Sequence, residues 1–186
     1  MLKIVQAPDE VLTKNAKPVE KIDKYIHKLL TEMTGALDSA RDPEGVGLAA
    51  PQIGKSLQLF IVKQSPRSPL LVFINPVIKK FFDEPKEKET SKDDKKNNSV
   101  QLEGCLSLHN VWGVVKRRDA VILTYQDEHG THHEKQFDGF LATIIQHEVD
   151  HLHGILFPKR VLEQKNQLYH SVKNDKGEIE FEEIEI

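Results

Sequence analysis

The sequence predicts one domain that combines helices with strands. Apolar residues recur at steps of three and four in 22–40 and again in 140–152, which is the spacing of a one-sided helix face. Residues 57–62 and 70–82 are rich in Leu, Ile, Val and Phe and flank a proline-containing turn, which predicts two strands. A chain of 186 residues is long enough to bury a core of its own.

Composition excludes several classes of protein. Hydrophobic residues make up 38% and charged residues 30%, and the formal net charge of −3 argues against a direct nucleic acid substrate. The lone cysteine excludes an internal disulfide and fits a reducing compartment. No segment reaches the roughly 20 apolar residues that a membrane helix needs. The first residues carry no signal pattern, so we expect a cytoplasmic protein without membrane contact.

The first half of the chain has two segments without a clear regular structure. The run of small residues at 45–54 has three glycines and no charge, so its backbone can approach another group closely. Taken alone, it predicts a tight turn. Residues 83–99 contain no large apolar side chain and predict a mobile, solvated insertion loop.

After this insertion, residues 100–107 predict a strand with Cys105 near its end. A second strand-like stretch covers 111–125 with a polar break at 116–119, and residues 131–137 predict the returning strand of a hairpin. We expect three histidines to be surface residues of that hairpin: His129, His132 and His133.

The last third carries the most apolar helix. Asp138 is a candidate N-cap for the helix at 140–152, and Gly154 is expected to end it. Residues 160–170 predict a short second helix. The tail at 171–186 alternates isoleucine and phenylalanine with glutamate, which predicts an amphipathic, acidic strand.

The pattern His147-Glu148-x-x-His151 lies within that apolar helix. Residues four apart share a helix face, so both imidazoles can reach one metal ion while Glu148 reaches a water beside it. A catalytic site needs a third ligand, and Cys105 is a better candidate than the downstream options because a thiolate binds zinc or ferrous iron well. Those downstream options are His153, Glu163 and His170.

Three stretches, Gly45–Gln52, Glu103–Ser107 and Gln146–Leu152, together resemble the signature motifs of peptide deformylase. The resemblance implies an α+β fold in which small mixed β-sheets surround a central metal-bearing helix. It also implies a single catalytic domain over 1–186, with the insertion at 83–99 and the acidic tail as additions. The implied reaction removes the N-formyl group from the N-terminal methionine of new proteins and releases formate.

The resemblance assigns roles to individual residues. Cys105, His147 and His151 would hold one divalent metal ion, typically ferrous iron in the cell, with zinc or nickel as substitutes. Glu148 would take a proton from water and pass it to the departing methionine nitrogen. The oxyanion would receive hydrogen bonds from the Gln52 side-chain amide and the Leu106 N–H.

Further residues would bind substrate or support the ligands. Backbone groups of Val46 and Gly47 would align an extended peptide, and Glu103 would pair with Arg117 to brace the cysteine strand. The candidate walls of the methionine pocket are Val46, Phe140, Thr143 and Ile144.

Trp112 departs from the resemblance, because many family members have an arginine there that helps anchor the substrate backbone. Two alternatives therefore accompany the deformylase hypothesis: a metalloprotease of the His-Glu-x-x-His type, and a homologue that binds formylated peptides without hydrolysing them. The expected partner is the formylated nascent peptide, with a ribosome contact through the acidic tail as a further hypothesis.

Overall fold

The computed structural model describes residues 2–40, 44–82, 102–174 and 176–185. The predicted insertion at 83–99 lies outside the described residues. The helices are α1 (Lys24–Ser39), α2 (Gly139–Leu152) and α3 (Phe157–Glu163). The strands are β1 (Gly47–Ala49), β2 (Leu59–Val62), β3 (Leu71–Phe82), β4 (Glu103–Cys105), β5 (Leu108–Gly113), β6 (Ala120–Gln126), β7 (His132–Asp138), β8 (Leu168–Lys173) and β9 (Ile179–Glu183).

The first sheet has the order β1-β2-β3-β6-β7, and each neighbouring pair is antiparallel. Successive side chains of a strand point to opposite faces. On β2, Leu59 and Ile61 join the core built around α1, whereas Phe60 and Val62 join the core built around α2. The sheet is therefore covered by a helix on each face, which explains why β2 is apolar throughout.

The second sheet has the order β4-β5-β8-β9, again with antiparallel neighbours. Its own core is small and consists of Cys105, Phe157, Val161 and Leu168, with α3 packed against β4 and β5. Strands β1 and β4 stand at the ends of their respective sheets, so each has one edge without a partner strand in the sheet. This α+β arrangement is the predicted fold class, although every strand pair in the two sheets is antiparallel, whereas mixed sheets were expected.

Helix α1 has the apolar stripe that its sequence predicts. It begins after Asp23, whose carboxylate accepts hydrogen bonds from the Tyr25 and Ile26 N–H groups at 2.9 and 3.2 Å. Such a cap satisfies two of the donors that a helix N-terminus leaves unpaired. The buried members of the stripe are Ile26, Leu29, Leu30, Met33 and Leu37.

Helix α2 is buried along most of its length, as its apolar sequence predicts. It ends as expected, with Gly154 in the left-handed region at φ 68°. Asp138 occupies the predicted N-cap position, although its side chain makes no capping hydrogen bond to the helix. The helix packs on β1, β2, β6 and β7 with one side. Its C-terminal half turns a second side toward Cys105 on β4.

The prediction of a helix over 160–170 is wrong in its bounds. The helix starts earlier, at Phe157, with Pro158 in the first turn where a missing N–H costs no hydrogen bond. It ends at Glu163, and Leu168 begins β8. The side chain of Leu168 is buried in the second core, and the backbone there pairs with β5. Long-range pairing thus overrode the local pattern.

The glycine-rich run at 45–54 is also more regular than the predicted turn. Gly47–Ala49 forms β1, and Ala50–Ile53 forms one turn of 3-10 helix that ends at Gly54 with φ 76°. The predicted strands at 57–62, 70–82 and 131–137 are confirmed, as is the strand in the tail, which pairs with β8. Within the described residues, no helix is long and apolar enough to cross a membrane.

Candidate active site

Three side chains that commonly bind metals meet where the C-terminal half of α2 faces β4. Cys105 Sγ lies 3.2 Å from His151 Nε2, which lies 3.2 Å from His147 Nε2, and the three atoms are all within 4.8 Å of one another. Sulfur and nitrogen ligands of a tetrahedral zinc site stand roughly 3.4–3.6 Å apart, given the usual metal–ligand distances. The donor set and its spacing therefore fit one divalent ion.

The His147 ring is held by neighbours on two sides. Its Nδ1 atom lies 2.7 Å from Glu103 Oε1, and the Phe157 ring stacks on it with centroids 6.3 Å apart. A carboxylate on one ring nitrogen fixes the tautomer and directs the other nitrogen toward a metal. His151 is 1% exposed, and its Nδ1 atom has no hydrogen-bond partner among the residues described.

Glu103 brings a negative charge to the cluster, and the pKa values of the two histidines shift in opposite directions. Burial alone would raise the pKa of Glu103, but hydrogen bonds from His147 and Arg117 hold it at about 2. Burial would lower the pKa of His147, yet hydrogen bonds with Cys105 and Glu103 raise it well above its ordinary value. Burial lowers the pKa of His151, so that ring is neutral, which is the form that binds metals.

Behind the ligands lies a network of buried ion pairs. The predicted pair is present: Arg117 donates from Nε and Nη2 to both oxygens of Glu103, at 3.0 and 2.7 Å. Its Nη1 group donates to Asp150 at 2.6 Å, and Arg160 on α3 donates to both Asp150 oxygens at 3.1 and 2.7 Å. This network connects α3 to the histidine ligands.

Sequence reasoning missed Asp150 and Arg160. A signal for Asp150 was available, because a carboxylate in a helix otherwise too apolar for the surface needs a buried partner. No local pattern identified Arg160 as that partner, because the two residues lie on different helices and their pairing depends on how α3 packs.

Glu148 lies directly beside the ligand cluster and is 3% exposed. Burial raises the pKa of its carboxyl group to about 7, and Oε2 has no hydrogen-bond partner among the described residues. Gly47 on β1 passes so close that a Cβ atom there would collide with this carboxylate. The glycine in the small-residue run is therefore required by a close approach between β1 and α2.

Gln52 and Leu106 belong to two different segments, the 3-10 turn after β1 and the turn directly after Cys105. Gln52 is 1% exposed; its Oε1 accepts the Ala49 N–H at 2.8 Å, which leaves Nε2 directed at Cys105 Sγ, 3.5 Å away. Leu106 follows Cys105 directly, and its carbonyl accepts a hydrogen bond from the Gln6 side chain at 2.9 Å. Both predicted oxyanion donors thus belong to segments held in place by other hydrogen bonds.

Strand β1 stands at the end of its sheet and has one edge without a partner strand there. In an antiparallel pair, the backbone groups of successive residues alternate between the partner strand and the opposite edge. Val46 accepts a hydrogen bond from the Lys63 N–H at 2.8 Å, and Gly47 lies opposite Val62. The backbone groups of Gly47 therefore face the free edge, whereas the carbonyl of Val46 is directed into the sheet.

The candidate pocket residues on α2 differ in their surroundings. Ile144 is buried, and its Cγ2 atom would lie 2.9 Å from a Cβ atom on Gly47. Thr143 is half-buried, whereas the Phe140 side chain is 45% exposed. The structure thus brings Ile144 to Gly47 and Glu148, while Phe140 lies at the surface. The ring of Trp112 covers Gly104 on β4 and contacts Phe181 of β9, with ring centroids 5.8 Å apart.

Comparison with known proteins identifies relatives of this site. The sequence model of the family described as polypeptide deformylase matches residues 1–167. A peptide deformylase from Synechocystis is 40% identical over 156 residues, which cover 82% of this chain and 75% of the relative. Peptide deformylase 1 from Bacillus cereus is 37% identical and covers 87% of this chain and 92% of its own.

Solved structures agree with the sequence relatives. A peptide deformylase from Synechococcus elongatus, in complex with actinonin, superposes with a TM-score of 0.72 at 36% identity. The match covers 86% of this chain and 78% of that one. For a peptide deformylase from Thermotoga maritima, the TM-score is 0.71 at 32% identity, with 86% and 97% of the two chains covered.

Proposed function

We propose that Cys105, His147, His151 and Glu148 form the catalytic centre of this chain, which belongs to the peptide deformylase family. The chain is a hydrolase that removes the N-formyl group from newly made proteins. The observation that carries this proposal is the convergence of the three ligand atoms, with the buried carboxyl group of Glu148 next to His147 in the chain; its Oε2 has no hydrogen-bond partner among the described residues. Residues more than 40 positions apart in the sequence meet here: Cys105 contacts His151, and Glu103 contacts His147.

We propose that Cys105, His147 and His151 hold one divalent metal ion, which is ferrous iron in the cell, with zinc or nickel as substitutes. A thiolate and two imidazoles suit all three metals. When bound, the ion supplies a Lewis acid that polarises the formyl oxygen and makes water more acidic.

Glu148 is the proposed proton carrier. A carboxyl group whose pKa is about 7 can accept a proton from water and return it near neutral pH. The water oxygen bonds to the formyl carbon, the carbon–nitrogen bond breaks, and the proton held by Glu148 passes to the methionine nitrogen. The products are formate and a free amino terminus. The proton that Glu148 accepted from water ends on the amino group, so Glu148 is deprotonated again.

The proposed oxyanion donors are the Gln52 side-chain amide and the Leu106 N–H. Gln52 is suited to this role because its oxygen is occupied by Ala49, so its NH₂ group faces the cluster. Each such donor is typically worth about 3–4 kcal/mol in the transition state. Gly47 would align the peptide along the free edge of β1 by strand addition, and Val46, Phe140, Thr143 and Ile144 remain the candidates for the methionine pocket.

The metalloprotease alternative lacks support from the described residues. Its downstream ligand candidates are engaged elsewhere: His153 Nδ1 lies 2.9 Å from the Val149 carbonyl, Glu163 pairs with Arg160, and His170 lies on β8 opposite Val111. In the part of the chain that the structure describes, the cysteine and two histidines are the one group of three suitable ligands.

The decisive experiment loads the protein with metal under anaerobic conditions and measures formate release from formyl-Met-Ala-Ser. We expect turnover by the original protein and a loss of about 10²–10⁴-fold in kcat for Glu148→Ala, with metal content unchanged. Tight binding of the formylated peptide without any formate would contradict the proposal and favour the non-catalytic homologue. Cleavage of unformylated proteins would instead favour the protease.

We further propose that residues 1–186 work as a single catalytic domain in the cytoplasm, with the insertion at 83–99 and the tail at 171–186 as additions to it. Formylated nascent peptides are the expected substrates. A contact between the acidic tail and the ribosome stays a prediction, which a pull-down with and without residues 171–186 would test.

A further inference from the structure

We propose that Arg160 is a positioning residue for the metal site, acting from α3 through Asp150 and Arg117 to hold Glu103 against His147. This inference rests on the proposed metal centre. Arg160 makes its hydrogen bonds to Asp150 and Glu163, not to the three ligands, and its side chain is 33% exposed. Its influence would pass through a continuous series of charge-assisted hydrogen bonds.

Arg160 adds a positive charge to a buried group of three charged side chains. Glu103, Arg117 and Asp150 are all nearly enclosed, with side chains 11%, 8% and 10% exposed. Two carboxylates therefore share one buried guanidinium group, so these three side chains together carry one net negative charge, and Asp150 is the carboxylate that His147 does not contact. Arg160 brings a second positive charge to Asp150 and uses two nitrogens to hold both of its oxygens. A buried charge without a partner is strongly unfavourable.

Arg117 divides its hydrogen-bond donors between the two carboxylates. Two of its nitrogens hold Glu103 and one holds Asp150. If Asp150 lost Arg160, it would compete with Glu103 for the remaining guanidinium group, because a two-point pair with an arginine is the strongest arrangement open to a carboxylate. Arg160 therefore keeps Arg117 directed at Glu103.

Glu103 connects Arg117 to the ligand His147. Glu103 Oε1 accepts from Arg117 Nη2 and also contacts His147 Nδ1, both at 2.7 Å. A shift of this carboxylate would release the ring that presents Nε2 to the metal. Partners of this kind typically change metal affinity by about 10–100-fold when they are lost.

The test measures the release of zinc, used as a redox-inert probe, to a chelator from the full-length protein. For Arg160→Gln we expect release about 10-fold faster than from the original protein. The matched control is Lys159→Gln, which removes the same charge from the exposed neighbouring position on α3 and should leave the rate unchanged. Arg160→Lys should lie between the two, since it keeps the charge but not the two-point contact.

A double-mutant cycle tests the route. In an Asp150→Asn background, Arg160→Gln should add little further effect, because its partner has already lost its charge. An undiminished effect there would overturn the inference. Glu163→Gln, which removes the other acceptor of Arg160, should leave zinc release unchanged.

A purely structural role makes a different prediction. If Arg160 served only to dock α3, Arg160→Gln would lower the melting temperature of the metal-free protein and leave zinc release equal to that of Lys159→Gln, which would overturn the inference. On formyl-Met-Ala-Ser, the inference expects a lower kcat with KM changed less than about twofold. Failure of the original protein to retain zinc would overturn the proposed metal centre as well, so the two failures are distinguishable.

Discussion

The molecule has histidines in two contrasting regions, the buried C-terminal half of α2 and the turn end of the hairpin formed by β6 and β7. In the hairpin, the His129 side chain is 77% exposed, His132 contacts Gln126 at 3.3 Å, and His133 contacts Asp127 at 2.7 Å. In α2, His147 and His151 face each other and a cysteine, with a carboxylate behind one of them. The hairpin contains more histidines, yet among the described residues only the helix histidines, together with Cys105, form a group that could hold a metal ion.

The difference shows that the surroundings decide what a histidine can do. In the hairpin, water competes with a metal ion for the ring nitrogens. Successive side chains of a strand point to opposite faces, so the neighbouring residues His132 and His133 are also kept apart. In the helix, residues four apart lie on the same face, and the sheets exclude water from that face.

Removal of a ligand should have the largest effect. For Cys105→Ala we expect loss of stoichiometric metal binding and a fall in formate release greater than about 100-fold, because ligands matter more than the groups behind them. The matched control is His132→Ala, which removes an exposed ring from the hairpin and should leave both quantities unchanged. Metal analysis after gel filtration, together with the formate assay, measures this, and equal metal content in the two variants would remove the distinction between the regions.

Removal of the carboxylate behind His147 should have an intermediate effect. Glu103→Gln keeps the size of the side chain but loses the charge that Arg117 and His147 both contact. We expect metal affinity to fall by about 10–100-fold. Zinc competition titrations would measure the change, with Glu134→Gln on the exposed strand β7 as the control. Unchanged affinity in Glu103→Gln would show that the buried surroundings of His147 do not support metal binding.

The hairpin should respond least, and only to acid. A hydrogen bond from His133 is the largest cause that lowers the pKa of Asp127 to about 2, from an ordinary value of 3.8. Because the folded-state pKa is depressed, the stabilisation by Asp127 is complete above about pH 4 and disappears as the pH falls toward 2. The melting temperature of Asp127→Asn should therefore lie slightly below that of the original protein at pH 6 and approach it near pH 2. A difference that persists at pH 2 would contradict this assignment.

Local patterns were sufficient for much of the fold. Helices α1 and α2, strands β2, β3 and β7, and the strand in the tail were predicted because each has a regular hydrophobic period or a clear turn beside it. The bounds of α3 and the existence of β1 were not predicted. Both depend on contacts between distant segments: Leu168 pairs with Gly113 across 55 residues, and β1 owes its strand conformation to pairing with β2.

For the site, residue type and the four-residue spacing on α2 were sufficient to predict the two histidine ligands and the adjacent acid, and the predicted ligand Cys105 does lie beside both histidines. Three other properties of the site depend on how distant segments pack. The tertiary structure encloses Glu148 so that its pKa is raised to about 7, it brings Gly47 against that carboxylate, and it places Arg160 on Asp150. Each of these depends on burial or on charges that packing brings together. Neither desolvation nor an ion pair between distant residues produces a periodic pattern in the sequence that could be used to predict it.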